Sequence, residues 1–544
     1  MAEVPEGASA VSFQEDEGMQ YRFEMLENEH WWGGTVASGA CPLTQTSDYH
    51  QDFCRDCDNQ TMPMFLSDHG RCIWSDHPFK VDVSEGVFVM EGEDITIEVF
   101  GSNLREAYLE AQKRHFPCDG KELPEAFFTS AQYNTWMEFT YYPTQEGVLK
   151  YAQGWLDHGY PPGIFIIDEG WHGRYGVWEF DFARFPDPKG MVDKLHEMGF
   201  KVLLWVTPFV CPDGPDFVRS LRPLRGTDPE MAKHLYMRVK DGDTDEDEHG
   251  DVAIIRWWNG FGAVLNLANP WDAKFLDDKL QFLMKEYGVD GFKFDGGTPA
   301  IYHPSNVVNG TFTTDMTPHE LNQAWNEFGR RYPYHEYKDT YKGAGKNCIQ
   351  RLRDKHPTWD GLGINLLIPC AITCGMIGHP FVCPDMVGGG EWTYRFMKDF
   401  ELDEEVFVRM AQCSALFPMV QFSWAPWACL NEENQKACVA AARLHQDMAD
   451  EILALVHESE KSGEPILRTL EYNDPHKGYA GITDQFMLGE NILVAPVVTK
   501  STFERKVFFP AGRWQDADGN VYEGGTAPVL AAPLDKLLWF KKIG

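Results

Sequence analysis

The chain has 544 residues, too many for one hydrophobic core, and its 43% apolar and 24% charged residues are a globular composition. Against 48 basic residues stand 83 acidic ones, a formal charge of −35 that repels nucleic acid and anionic membrane and favours a neutral or cationic partner. Residues 1–18 lack a basic segment followed by an apolar run, and no apolar stretch reaches the roughly 18 residues needed to span a bilayer.

From about residue 8 to 118, short alternating runs such as GVFVMEGEDITIEVFG are broken by Gly, Asp and Asn. This pattern predicts an antiparallel β-sandwich, assigned to residues 1–120. Within it Cys54 and Cys57 form a CxxC. A metal site would need a second ligand pair at suitable spacing, which the nearby His50 and Cys72 do not supply, so the two read as loop cysteines. The 13 cysteines are an odd set without a repeating framework, which fits reduced thiols in a cytoplasm.

From about 125 to 455 the texture changes. Apolar strand runs alternate with helical stretches, as in GIFIID, VDKLHEMGF and KVLLWVTP, and such alternation predicts βαβ units and a parallel sheet. FFTSAQ, GFKFD, NCIQRL, PFVCPD and MVQFSW are further strand candidates. A (β/α)8 barrel over residues 121–458 is the economical α/β assembly. The remainder returns to short strands and turns in QFMLGENILVAPVV, RKVFFPAGRW and APVLAAP, predicting a β domain over 459–544.

Parallel barrels carry their chemistry at the carboxyl ends of strands, where the strand fixes a side chain and the following loop leaves room for a ligand. Asp295 ends the run GVDGFKFD and is followed by two glycines, which makes it the first candidate nucleophile; a strand-end aspartate can equally cap a following helix. Asp354, in CIQRLRDKHPTWDG, follows another candidate strand beside Arg351 and Arg353, with Asp360 as a competing acid. Two carboxylates at one rim are what acetal hydrolysis needs, one to attack or stabilise the anomeric carbon and one to protonate the departing oxygen. Asp168 ends GIFIID, and Asp385 in PFVCPDMVGGGEW repeats the pattern before three glycines; both are candidate acceptors for sugar hydroxyls. Lys293 shares a strand face with Asp295, because side chains alternate with period two, and could donate to a sugar. Trp171, Trp205, Trp424 and Trp427 are candidate stacking rings, each equally suited to a core.

These segments together resemble glycoside hydrolase family 31, the retaining α-glycosidases. The resemblance covers nearly the whole chain: residues 168–208 with their FPDPK, the spacing of Asp354 and Trp359 followed by GHPFVCPDMVGG, and GEPILRTL with DQFMLGENILVAPV. It implies that Asp295 is the nucleophile, that Asp354 rather than Asp360 is the acid/base, and that Asp168 and Asp385 line the pocket for the terminal sugar. The α-glucosidase form has Trp two residues before the nucleophile and an acidic residue two after, where this chain has Lys293 and Gly297. Lys-Phe-Asp looks closer to the α-galactosidase-like branch, the myogenesis-regulating glycosidase type. Where that branch carries Arg sixteen residues before the acid, this chain has Lys338.

The resulting expectation is a cytoplasmic retaining α-glycosidase with no metal or organic cofactor, acting on a small oligosaccharide or glycoside, an α-galactoside first. Arg351, Lys338, Trp171, Trp205 and Trp424 join Asp168, Lys293 and Asp385 as expected substrate contacts. An α-glucosidase, a sulfoquinovosidase, a transglycosylase and, from another class, a non-catalytic carbohydrate-binding barrel are the alternatives. Assembly into a homo-oligomer is left open.

Overall fold

The computed structural model describes residues 11–15, 18–55, 57–221, 229–240 and 251–544. Residues 1–10, which carry most of the amino-terminal segment read above, and residue 56 inside the CxxC lie outside the described residues. The chain forms two compact units, one of Tyr133–Trp155 and Pro162–Tyr341, the other of Met1–Gln132, Leu156–Pro161 and Lys342–Gly544.

The first unit is built on four adjacent parallel strands, Ile164–Ile167, Lys201–Val206, Gly291–Phe294 and Tyr334–Tyr337, paired in that order. IFII and VLLWV are apolar on both faces because the strands are covered on both sides, as parallel sheets are. Each crossover carries a helix. Pro188–Glu197 joins the first two strands, with Asp187 accepting from Gly190 N at 3.0 Å as its cap and proline in its first turn. Pro270–Tyr287 leads into the third, and Pro318–Gly329, opened by a Thr317/Glu320 capping box, leads into the fourth. Before Pro270–Tyr287 the chain inserts small antiparallel sheets, including the hairpin Ile254–Trp257/Gly260–Val264, packed on a core of Trp205, Phe209, Ile255 and Trp257.

In the second unit the parallel pairs Gln350–Arg351/Val382–Cys383 and Met386–Val387/Gln421–Phe422 are joined by the helices Leu367–Met376 and Glu404–Ser414. Ahead of them lies a sandwich. One sheet runs Val11–Glu15, Gly18–Glu24, Val87–Glu91, Lys80–Ser84, Tyr49–Asp52, all antiparallel, and the other holds Trp31–Thr35, Gln60–Ser67, Arg71–Trp74 and Thr96–Val99. Phe88 of the first sheet meets Phe65 and Trp31 of the second with ring centroids 5.6 and 5.2 Å apart. The carboxyl-terminal strands fold around Trp514, Phe509 and Phe540. They are held to Glu404–Ser414 by the buried Arg409, which donates to Ala532 O at 2.7 Å and Thr502 O at 3.2 Å.

Cys54 Sγ lies 3.8 Å from Pro78 O and Cys57 Sγ 2.9 Å from Phe53 O, so the two thiols face different carbonyls. No helix among the described residues is long and apolar enough to cross a membrane.

Candidate active site

The four parallel strands of the first unit are followed directly by Asp168, Thr207, Asp295 and Lys338. Register fixes which side chains meet. Trp205 is level with Lys293, and Lys293 with Glu336, while Phe294 points the other way into the rings of Trp325 and Tyr337 at 5.2 and 5.0 Å. Lys293 Nζ donates to Asp168 Oδ2 at 2.6 Å, an ion pair with both side chains buried. Trp205 Nε1 donates to Asp295 Oδ2 at 2.9 Å, and Asp295 Oδ1 accepts from Gly296 N at 2.9 Å. The two oxygens of Asp295 are therefore oriented separately, Oδ2 by a ring locked in the barrel wall and Oδ1 by a backbone N–H. Trp171 Nε1 in turn donates to Trp205 O at 2.8 Å.

Gly297 explains one departure from the glucosidase pattern. Its φ is +67°, and a Cβ there would stand 2.6 Å from Trp325 Cδ1, so no acidic side chain fits without moving that ring.

Glu169 is the acid that the strand pattern overlooks. Its Oε1 accepts from the Tyr175 hydroxyl and from Asn259 Nδ2 at 2.6 Å, and its own N–H donates to Asp168 Oδ1 at 2.8 Å. Burial, together with the charges of Asp168 and Asp295, pushes its pKa up to about 8, against the pull of the Tyr175 hydrogen bond and of Lys293. The Tyr175 phenol is raised by burial and by Glu169.

In the second unit Arg351 ends its strand with a guanidinium that is 1% exposed, and Nη1 donates to Asp354 Oδ1 at 2.9 Å and to Asp385 Oδ1 at 2.6 Å. Asp385 Oδ2 accepts from Lys355 N at 2.6 Å and Gly390 N at 3.1 Å. Asp385 adopts φ +103°, a conformation rare outside glycine, and its three bonds hold it there. Burial, reinforced by the charge of Asp354 and opposed by Arg351, raises its pKa to about 6. The glycines behind it permit close approach: a Cβ on Gly389 would stand 2.7 Å from Lys355 O. Asp354 keeps 24% side-chain exposure, so the carboxyl expected to exchange protons is the open one. Asp360 is exposed in a turn six residues on.

Trp171 and Trp205 are fully buried, and Trp205 acts on the site through its N–H. Trp424 is 6% exposed, with its Nε1 on Gly389 O at 3.2 Å and Arg395 over its ring at 5.0 Å. Trp427 stacks on His158 at 4.6 Å. Lys338 stands half-buried one residue beyond its strand. Besides Glu169, the reading of the sequence passed over Asn259 and Trp258 at the tip of the inserted hairpin. Trp258 is 51% exposed, and its Cη2 lies 3.4 Å from where a Cβ on Gly296 would stand. Adjacent carboxylates at a strand end were a signal for Glu169; for the hairpin tip there was none.

Strands that end on these carboxylates, with a β-sandwich before them in the chain and a β domain after, define an α/β (β/α)8 barrel protein of the kind that works at its strand ends. The family 31 glycosyl hydrolase TIM-barrel domain matches residues 123–451 and the family's C-terminal domain residues 463–544, and the chain belongs to glycoside hydrolase family 31. The myogenesis-regulating glycosidase of Mus musculus is 30% identical over 450 residues, 81% of this chain and 60% of that protein. Alpha-glucosidase 2 of Bacillus thermoamyloliquefaciens is 26% identical over 431 residues, 74% of this chain and 51% of that one. The chain thus spans between half and two thirds of the length of these two relatives. Among solved structures, a Flavobacterium johnsoniae GH31 dextranase complexed with glucose superposes with a TM-score of 0.79 at 20% identity, covering 98% of this chain and 67% of that one.

Proposed function

We propose that the chain is a retaining α-glycosidase that removes a terminal non-reducing α-linked sugar by double displacement, with an α-galactoside as favoured substrate. The observation that carries the reading is Asp295 at a barrel strand end, both oxygens oriented by N–H donors, beside the buried Lys293–Asp168 pair. Asp295 attacks C1 through an oxocarbenium-like transition state while Asp354 protonates the leaving oxygen; Asp354 then takes a proton from water as the glycosyl-enzyme is released. Arg351, bonded to Asp354, holds that carboxyl in place. Asp168 and Asp385 are the hydroxyl acceptors of the terminal-sugar pocket, and Lys293, in place of an indole, is what favours galactoside over glucoside.

The curated relatives support the class and keep the sugar open, since their names include an α-glucosidase, an α-xylosidase and an isomaltosyltransferase. Transfer to a sugar acceptor in place of water is the second reading, favoured by the isomaltosyltransferase of Sporosarcina globispora, 24% identical over 66% of this chain. A non-catalytic barrel would be expected to lack one of the two carboxylates, and both are present. A cytoplasmic setting belongs to the same reading, supported by 13 cysteines that stand as free thiols. Hydrolysis of a panel of nitrophenyl α-glycosides tests the proposal: α-galactoside cleavage ahead of α-glucoside supports it, and cleavage of none overturns it.

A further inference from the structure

Glu169 has no part in the double displacement, yet it stands beside both Asp168 and Asp295 and is 4% exposed. Its two oxygens differ. Oε1 takes both hydrogen bonds that reach the carboxyl, from Tyr175 and Asn259. Oε2 receives none among the described residues, on a side chain that is 4% exposed. Among the described residues the cation that acts on Glu169 is Lys293, which is committed to Asp168. The groups that face Glu169 are thus two acids, Asp168 and Asp295, one paired lysine, and the phenols of Tyr175 and Tyr141. In that setting a further negative charge is costly, and a neutral carboxyl with its proton on Oε2 suits these neighbours: Oε1 accepts, and Oε2 is left as a donor.

We propose that Glu169 is a further specificity-determining residue, whose Oε2 donates a hydrogen bond to a hydroxyl oxygen of the sugar held beside Asp168, with Tyr175 and Asn259 as the residues that aim it. The inference rests on the glycosidase reading and deepens it. An ionised Asp168 offers only acceptors, so side by side the two residues present an acceptor and a donor. That combination selects a sugar position bearing a hydroxyl, which can both donate and accept, over one bearing hydrogen, which can do neither. Asn259 sits on the inserted hairpin and Tyr175 on the loop after the Ile164–Ile167 strand, so two separate segments set the direction of the bond.

The test compares wild type, Glu169→Gln and Glu169→Ala on an aryl α-glycoside and its single-deoxy analogues at C2, C3, C4 and C6. Glutamine keeps an acceptor for Tyr175 and Asn259 and places N–H where the acid proton stood. Glu169→Gln should therefore stay within about 3-fold of wild-type kcat/KM at pH 6, while Glu169→Ala falls roughly 10-fold. One deoxy analogue should lose roughly 10-fold with wild type and almost nothing with Glu169→Ala. Wild type should lose activity as pH rises past about 8, and Glu169→Gln should lack that limb. A Gln variant as impaired as the Ala variant would make Glu169 an ionised acceptor. Equal sensitivity of wild type and Glu169→Ala to every deoxy position would make it a structural residue. Either outcome overturns the proposal. If wild type cleaves no α-glycoside, the glycosidase reading fails, and calorimetric titration of the three proteins with free monosaccharides and their deoxy forms decides the role of Glu169 by the same pattern.

Discussion

Lys293 and Asp168 meet at 2.6 Å across the width of the Lys201–Val206 strand, and their side chains are only 4% and 3% exposed. Each is therefore the other's main compensation for leaving water. Lys293→Met keeps the bulk and strands the Asp168 carboxylate, which should cost about 3–5 kcal/mol of stability, the usual penalty for removing one partner of a buried pair. Adding Asp168→Asn should return most of that loss, because the amide needs no counter-charge. Urea unfolding of the two single variants and the double variant measures the coupling. A Lys293→Met protein as stable as wild type would show that the pair contributes nothing, and an unchanged ratio of α-galactoside to α-glucoside kcat/KM would remove Lys293 from sugar selection.

Asp295→Asn and Asp354→Asn should each abolish most turnover while leaving the thermal unfolding midpoint nearly unchanged, since each amide is close to isosteric. Azide separates the roles. It should restore turnover of an activated aryl glycoside to the Asp354 variant, where the glycosyl-enzyme still forms and a small anion needs no general base. Equal rescue of Asp295→Asn with an α-glycosyl azide as product would contradict the assignment.

The first product released should be the α-anomer, because two inversions at C1 restore the starting configuration. Proton NMR in the first minutes of turnover reads this before mutarotation mixes the anomers. Initial release of the β-anomer would end the double-displacement reading and the nucleophile role of Asp295 together.

Arg351→Met should destabilise the protein in a pH-dependent way. Burial raises the pKa of Asp385 to about 6, above its unfolded value, so this group's stabilising contribution is full at low pH and is lost as pH rises through the folded pKa. Arg351 restrains that rise, and without it the folded pKa climbs further and the ionised carboxylate above it stands uncompensated. The deficit of the variant relative to wild type should therefore be small at pH 5 and largest at pH 8, where it approaches about 3–5 kcal/mol. Thermal melts across that range provide the check; a deficit that shrinks with rising pH would reverse the argument.

Gly297→Asp, which brings in the acidic residue type of the glucosidase pattern, should lower stability by at least about 1–3 kcal/mol, because a side chain is strained at φ +67° and its Cβ would collide with Trp325. A melting temperature equal to wild type would show that Trp325 yields.

The parts of the fold legible in the sequence are those whose burial is uniform. GIFIID and KVLLWV carry unbroken apolar runs, GFKF is apolar but for Lys293, all three form the strands read from them, and VDKLHEMGF lies mostly within the helix Pro188–Glu197. Tyr334–Tyr337 was missed because YHEY buries His335 and Glu336, polar residues that no periodicity assigns to a core. In FFTSAQ the strand begins only at Gln132, a 3-10 turn taking Glu125–Phe127, and in NCIQRL and PFVCPD pairing is confined to two residues each. In the candidate site, Asp168, Asp295, Arg351 and Asp385 were legible because strand ends are marked locally by glycine and by the close of an apolar run. Glu169 was in view but unread, since what distinguishes it comes from Asn259, 90 residues away. The rings show the limit of composition: a tryptophan on a barrel strand and one on a hairpin tip look alike in sequence, yet Trp205 is 1% exposed and Trp258 51%.

The hairpin that bears Trp258 and Asn259 is an insertion between barrel strands, with its own small sheet, and its tip reaches Glu169 without being part of the strand framework. If Glu169 selects the sugar as proposed, sugar preference and foldability are under separate control. Descendants of this chain can lengthen, shorten or resequence the tip and so redirect Glu169 while Trp205, Lys293 and Asp295 keep their positions, which gives evolution, or a directed library confined to residues 258–260, a route to new substrates that leaves the reaction machinery untouched.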